Sequence, residues 1–257
     1  MSHRAAIRKD RRRERLLEEI VRDPGVLIRD LAEKFEVSRE TIRRDFDALC
    51  DTGQLQRRYG GAQFPVGNLL SFEARQRKHV PERRAIVKMA QRFLEDDLTV
   101  MLGPGTTALL FAEALVQSNR CLTVITNGLR EALTLSKSET LKVLLAPGEV
   151  DSSEGFAWGQ ETTEYLTGFN ADLAVVFADG LAVSGVSESD SRTVWTVKTM
   201  LRQADNNMLL LDHFRFNQQG RQKICDLDAL DMVISDREPG PFLLQALKEN
   251  NVAFHCA

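Results

Sequence analysis

Ser38-Arg39-Glu40-Thr41-Ile42-Arg43-Arg44-Asp45-Phe46-Asp47-Ala48-Leu49 decides how the first part of this chain folds. Ser38 is a good N-cap, because its hydroxyl can accept a first-turn N–H that has no helical partner. Ile42, Phe46 and Leu49 recur at i, i+4 and i+7 and make one apolar stripe. That stripe must face protein, which turns Glu40, Arg43, Arg44 and Asp47 outward or to the flanks, with Arg39 reaching out from the first turn. Upstream, Ile28, Leu31, Ala32 and Phe35 form a second stripe, and only Glu36 and Val37 separate Phe35 from the cap. Two helices joined by so tight a turn, the second rich in Arg, have the spacing of a helix-turn-helix.

Nearer the N-terminus, Leu16, Leu17, Ile20 and Val21 predict a further helix ended by Pro24-Gly25. Downstream of Gly53, Gln54 to Ala62 reads as a short alternating strand running into a Gly-Gly turn, which is how a wing would read. Arginine can fork onto guanine O6 and N7 or onto phosphate oxygens, and the N-terminal half of a recognition helix enters the major groove. The candidate DNA contacts are therefore Ser38, Arg39, Glu40, Thr41, Arg43 and Arg44 on the helix. Arg57, Arg58, Tyr59 and Gly60 join them from the wing, with the two arginines as positioning contacts to the backbone or minor groove. The alternative is a set of ordinary solvated helix charges, since Glu40 and Asp47 sit among them.

The charge of the chain is divided. Residues 1–84 hold 20 Lys+Arg against 14 Asp+Glu, whereas the rest holds 14 against 23, and the sum is −3. Such a split suggests that one part meets a polyanion. At 257 residues, 43% hydrophobic and 28% charged, the composition is that of an ordinary globular protein of one large or two smaller domains. Every apolar run stops short of the roughly 18 to 20 residues of a membrane span, and the basic N-terminus lacks an apolar signal core. The expectation is a cytoplasmic protein with no membrane association. Cys50, Cys121, Cys225 and Cys256 are far apart and predict reduced, structural thiols. His3, His79, His213 and His255 have no metal-ligand spacing, so no metal site is expected, and no cofactor is called for. Trp158 and Trp195 could line a sugar pocket or simply pack.

Pro65, Gly67 and Asn68 punctuate a linker that leads into a basic segment from Arg75 to Arg84, giving a connection over 64–84. Beyond it, strand-like runs at Thr99–Leu102, Leu122–Thr126, Leu141–Ala146, Asp172–Ala178, Met208–Asp212 and Met232–Ser235 alternate with helical patterns such as Thr107–Gln117 and Pro241–Asn250. This alternation predicts an open, mostly parallel sheet covered by helices on both faces. Gly103-Pro104-Gly105-Thr106-Thr107 follows the first of these strands and opens a helix, so free backbone N–H groups, the helix dipole and two hydroxyls converge where a phosphate could sit. Gly103, Gly105 and Ala108 also satisfy G-x-G-x-x-A, but the next strand ends in Thr126-Asn127 without the acidic residue that a dinucleotide ribose needs. A tight turn with no ligand is the other reading.

Arg13, Leu17 and Val21, then Ser38, Thr41-Ile42-Arg43-Arg44-Asp45-Phe46, then Gly53, Leu55, Arg57, Tyr59 and Gly60-Gly61-Ala62 resemble the N-terminal signature of the DeoR family of bacterial transcriptional regulators. The resemblance implies a winged helix-turn-helix over 1–63 that binds operator DNA, usually as a repressor of a carbohydrate-utilisation operon. It also implies an α/β sensor over 85–257, with a fold related to ribose-phosphate isomerases and coenzyme A transferases, and a sugar or polyol phosphate as inducer. The sensor pattern matches Thr123-Val124-Ile125-Thr126-Asn127, Asp179-Gly180, Lys198 and Asp212. Candidate effector contacts are thus Gly103, Gly105, Thr106, Thr107, Thr126, Asn127, Asp179, Gly180, Lys198, Asp212 and Arg215.

The chain departs from that pattern at several places. Gly103 stands where an acidic residue is common, Gly128 where serine is common, and Ala146-Pro147-Gly148-Glu149 where a Gly-Gly pair is common. Asp212-His213-Phe214-Arg215-Phe216 replaces a frequent Asp-Ser-Ser-Lys-Phe, keeping a charge but changing its geometry. Two further readings stay open: a C-terminal scaffold that binds no ligand, and an isomerase-like enzyme using Asp179, Asp212 and Lys198. Specific repressors usually pair half-sites, so a homo-oligomer is expected, dimer and tetramer both open.

Overall fold

The computed structural model describes residues 12, 13, 15, 16, 19, 28–51, 56–58, 61–63 and 71–257, with the side chains of residues 50, 51, 56–58 and 61–63 left aside. Two compact units divide between Ser71 and Phe72.

In the first unit, residues 12, 13, 15, 16 and 19 are helical. Helix α1 spans Ile28–Lys34 and α2 spans Arg39–Asp51. Leu16, Leu31, Ala32, Ile42, Phe46 and Leu49 form the buried cluster, with Ile28, Phe35 and Val37 packed against it, so both apolar stripes converge as their spacing requires. The α1 end is a left-handed stop. Glu36 has φ 53°, its N–H reaches Glu33 O at 3.2 Å, and the Val37 N–H reaches Ala32 O at 3.0 Å, which satisfies the last carbonyls of α1. Strands β1 (Gln56–Arg58) and β2 (Gly61–Gln63) pair antiparallel with Arg58 opposite Gly61. Leu17, Ile20, Val21, Pro24-Gly25, Gly53-Gln54-Leu55, Tyr59-Gly60 and the linker residues Pro65, Gly67 and Asn68 lie outside the described residues.

The second unit opens earlier than the sequence pattern indicates. Residues 72–84, expected as a connecting segment, contribute α3 (Phe72–Gln76) and the first turn of α4 (Val80–Ala90) to its body. Charge concealed the reason: Arg83, Val87 and Ala90 share one buried face of α4 with Ile86.

Strands β3 (Thr99–Leu102), β4 (Leu122–Thr126) and β5 (Leu141–Leu145) follow, with α5 (Thr106–Ser118) and α6 (Leu129–Leu135) between them. A hairpin of β6 (Glu149–Asp151) and β7 (Phe156–Trp158) leads to α7 (Gln160–Thr167) and β8 (Ala171–Val176). Then come β9 (Gly180–Ala182), β10 (Gly185–Glu188), α8 (Ser191–Arg202), β11 (Ala204–Leu210), β12 (Gln222–Cys225), β13 (Met232–Ser235), α9 (Pro241–Glu249) and β14 (Ala253–Cys256). Seven strands build one sheet in the order β14-β13-β11-β8-β3-β4-β5, and every pairing in it is parallel.

Each central strand is buried on both sides, which explains its near-continuous apolar text. Val100, Leu102, Val124, Val175 and Leu210 face α4 and α5 through Ile86, Phe111 and Leu115, whereas Met101, Ile125, Val176 and Leu209 face α8 and α9 through Val197, Met200 and Leu247. The sequence pattern missed β14, the β6–β7 hairpin and the three-stranded antiparallel sheet β12-β10-β9. These strands are three or four residues long and carry no sustained alternation. No helix among the described residues is long and apolar enough to cross a membrane.

Candidate functional site

The cap of α2 is formed. Ser38 Oγ accepts the Thr41 N–H at 3.1 Å, and the two hydroxyls lie 2.9 Å apart. Arg39, Glu40, Arg43 and Arg44 are exposed and Thr41 is half-exposed, so the face opposite the core is basic. Arg44 Nε lies 3.5 Å from Glu40 Oε1, a solvated pair one turn apart that costs little to exchange for a phosphate or base. Asp45 is different. It is 1% exposed and its two oxygens accept from Arg12 Nε at 2.6 Å and Arg13 Nε at 3.1 Å, which ties the first helical segment to α2. Arg57 and Arg58 occupy β1, while Tyr59 and Gly60 lie outside the described residues.

In the second unit, the candidate effector residues follow β3, β4, β8 and β11, which are consecutive in the sheet as β11-β8-β3-β4. Sheet order reverses between β3 and β8, since β4 and β5 lie to one side of β3 and all later strands to the other. That is the switch point where α/β sheets bind ligands. Leu102 is in register with Thr126 and with Val175, so Gly103 and Asn127 leave neighbouring strands side by side.

The loop at 103–107 is not as open as the sequence suggests. The Gly105 N–H donates to Glu131 Oε1 at 3.0 Å, and Glu131, on α6, is 1% exposed. Burial pushes its carboxyl up to about 7, against the pull of the Gly105 N–H and of Arg130. The expectation of free N–H groups therefore fails at Gly105, because an internal carboxyl already occupies that donor. Gly128 makes this possible: a Cβ there would lie 2.1 Å from Glu131 Oε2. Thr106 and Thr107 are half-exposed at the start of α5. The Thr126 hydroxyl accepts the Gly128 N–H at 3.0 Å, and Asn127 Nδ2 donates to Ala157 O at 2.8 Å, leaving Asn127 Oδ1 buried without a partner.

Across the switch point, Asp179 Oδ1 accepts from Arg215 Nη1 at 2.9 Å and Oδ2 accepts the Ser189 N–H at 3.2 Å. Glu188 Oε1 accepts the Ser189 N–H at 2.7 Å and the Asp190 N–H at 3.3 Å, and its carboxyl interacts with that of Asp179. Although burial alone would raise both, the hydrogen bond from Glu188 with Arg215 holds Asp179 below its usual range, while burial and the neighbouring Asp179 charge raise Glu188 well above it. Gly180 opens β9 directly against Gln218 O, where a Cβ would lie 2.1 Å from that carbonyl, so packing explains it. Asp212 is 9% exposed with Oδ1 unpartnered. The divergent segment after it is built into the wall. His213 Nδ1 lies 2.6 Å from Asp236 Oδ2, and Phe214 stacks on His79 with centroids 4.0 Å apart. Lys198 Nζ lies 5.4 Å from the Trp195 ring centroid, and its charge acts on Cys225. Trp195 is exposed, and Trp158 packs with Phe156 against Arg192.

Arg83, which sequence reasoning left in the connection, belongs to the site. It is 3% exposed, and it donates from Nε to Lys78 O at 3.1 Å and from Nη2 to Gln76 O at 2.7 Å, whereas Nη1 has no partner. Burial lowers its pKa, Asp212 raises it and Arg215 lowers it further, which puts the guanidinium in the field of both. Its apolar spacing with Val87 and Ala90 was the available signal. Glu131 and Glu188 had none as strong, although Gly128 sits three residues before Glu131.

A basic helix-turn-helix in one unit and an α/β fold with polar groups gathered at one sheet edge in the other define a DNA-binding regulator with a sensor domain. Residues 12–66 match the family model described as a DeoR-like helix-turn-helix domain, and residues 78–237 the one described as a DeoR C terminal sensor domain. This chain belongs to the DeoR family of transcriptional regulators. It is 27% identical over 237 residues to the glycerol-3-phosphate regulon repressor of Escherichia coli, covering 91% of this chain and 94% of that one. It is 29% identical over 249 residues to the lactose phosphotransferase system repressor of Lactococcus lactis, covering 94% and 96%, and 27% identical over 219 residues to the transcriptional repressor GlcR of Bacillus subtilis, covering 84% of each. A ribose 5-phosphate isomerase A from Neisseria gonorrhoeae superposes on 52% of the chain with a TM-score of 0.39 at 14% identity, also covering 52% of that chain, a likeness too slight to bear on function.

Proposed function

We propose that this chain is a cytoplasmic, homo-oligomeric repressor of a carbohydrate- or polyol-utilisation operon, released from its operator by a phosphorylated sugar or polyol bound at the carboxyl edge of β11-β8-β3-β4. The observation that carries the effector reading is that, of four buried side-chain polar atoms without partners among the described residues, three, Arg83 Nη1, Asn127 Oδ1 and Asp212 Oδ1, lie on elements that meet at that edge, the fourth being Asn207 Oδ1 within β11. Buried polar atoms are nearly always hydrogen-bonded, so unpaired ones in one region point to a ligand. The names of two relatives, a glycerol-3-phosphate regulon repressor and a lactose phosphotransferase system repressor, point to the same ligand chemistry. Effector control requires the ligand to bind the DNA-competent and DNA-incompetent states with different affinity.

Catalysis is not part of the proposal. The relatives that match along most of this chain are named as repressors, and the proposal follows them. A ligand-silent scaffold is the second reading, favoured by the Glu131 carboxyl on Gly105. Fluorescence anisotropy of the full chain on its own upstream DNA, against a scrambled duplex at fixed salt and with a panel of sugar phosphates, separates the readings. Selective binding released by one compound supports the inducible repressor, and selective binding that no compound changes supports the scaffold. A failure to discriminate between the duplexes counts against the choice of operator or against the reading surface on α2.

A further inference from the structure

The open hydrogen-bonding groups at the sheet edge have a polarity. At the β4 side they are acceptors: Asn127 Oδ1 has no partner, and the Glu131 carboxyl faces the Gly103–Thr107 loop. At the β11 side two groups are open, the acceptor Asp212 Oδ1 and the donor Arg83 Nη1, so the buried open donor among the described residues lies at this end, with a second guanidinium, Arg215, in the same neighbourhood. A phosphate offers acceptors only, while sugar hydroxyls can donate.

The Glu131 carboxyl is a built feature. It sits at the N-terminus of α5, where helix geometry favours an anion, and it is 1% exposed with its second oxygen seated against the bare Cα of Gly128. Arg130, the neighbouring cation, is committed elsewhere, with Nη2 on Glu73 at 3.2 Å and its guanidinium 4.1 Å from the Phe72 ring centroid. A second anion brought to the loop would meet the Glu131 carboxylate, with Arg130 already engaged by Glu73 and Phe72.

We propose that Glu131 is the specificity-determining residue of the effector site: it fills the anion position of the Gly103–Thr107 loop, makes that end read ligand hydroxyls, and leaves the phosphate of the effector to the β11 end, where Arg83 holds the open donor. The proposal rests on the sugar-phosphate reading above and reverses the orientation that the loop sequence suggests. Asp212 Oδ1 then accepts a hydroxyl next to the phosphorylated carbon, and Thr106, Thr107 and Asn127 read the far end of a short polyol chain.

Calorimetric titration of the full-length protein with inorganic phosphate at pH 8 tests this, because Glu131 is ionised there. Glu131→Gln keeps an acceptor for the Gly105 N–H and removes the charge. It is expected to tighten phosphate binding by on the order of tenfold, and adding Thr107→Val is expected to cancel the gain. Arg83→Lys in the parent chain is expected to weaken phosphate binding at least several-fold, with operator affinity serving as the check on folding. Unchanged phosphate binding in Glu131→Gln overturns the proposal whatever Arg83→Lys does. So does a gain that survives Thr107→Val, since it would have arisen elsewhere. Failure of the sugar-phosphate reading looks different: phosphate binding behaves as described, yet no sugar phosphate releases the operator.

Discussion

Arg13 donates its Nε to Asp45 Oδ1 at 3.1 Å beneath the outward face of α2, and the receiving carboxylate is 1% exposed. Arg12 takes the other oxygen, so the helix that presents Arg39, Arg43 and Arg44 is held from behind by a two-arginine clamp. The acidic residue inside the basic motif is therefore a structural group, and its charge is spent before it reaches DNA.

Removing the clamp should be costly. Asp45→Ala leaves two arginines that are about a quarter exposed, so the loss falls at the low end for broken buried pairs, roughly 3 kcal/mol. Urea unfolding followed by circular dichroism should show an early transition of residues 1–71, and coincidence with the parent curve would count against the clamp.

On the opposite face, Arg44→Ala should lose about 1 to 3 kcal/mol on the operator with relaxed preference at one base position, if Arg44 reads a base. A uniform loss across all duplexes would reassign it to phosphate, and no loss would remove it from the reading surface. Ser38→Ala acts on the helix and not on the DNA. Losing the cap should destabilise α2 by about 1 kcal/mol and weaken all duplexes alike.

The carboxylate pair in the sensor unit should respond asymmetrically. Burial and the neighbouring Asp179 charge raise Glu188 well above its usual range, so Glu188→Gln removes a charge that the fold disfavours and should change the melting temperature little. Asp179→Asn removes the charge that Arg215 faces and should cost roughly 1 to 3 kcal/mol. Equal effects in paired thermal melts would count against Asp179 as the charged partner of Arg215.

Glu131 makes stability depend on pH. Its folded-state value, about 7, lies above the ordinary 4.5, so between those two values the folded chain holds a proton that the unfolded chain has lost. Stability from this group is complete below about 4.5 and falls as pH rises through 7, by on the order of 3 kcal/mol in total. Glu131→Gln should therefore gain over the parent from about pH 5 to pH 7, and the difference should level off above that. A constant difference between the two melting curves would show that the carboxyl is not buried as described.

Ser38, the stripe Ile42-Phe46-Leu49 and the six strand runs were legible by themselves, because a cap, a helical face and a doubly buried strand are local patterns of three to ten residues. Local patterning also placed the Gly103–Thr107 loop at the mouth of a helix and the charge division near residue 84. It could not assign Arg83, whose basic neighbours disguised a buried helix face, nor detect strands as short as β6 and β9. What occupies the loop was a question for the tertiary structure. Glu131 reaches Gly105 across 26 residues only because β4 pairs with β3, and Arg83 shares a field with Asp212 only because β11 lies two strands away on the other side. Strand order is set by how whole elements bury their faces against one another, and no local spacing in the chain records it.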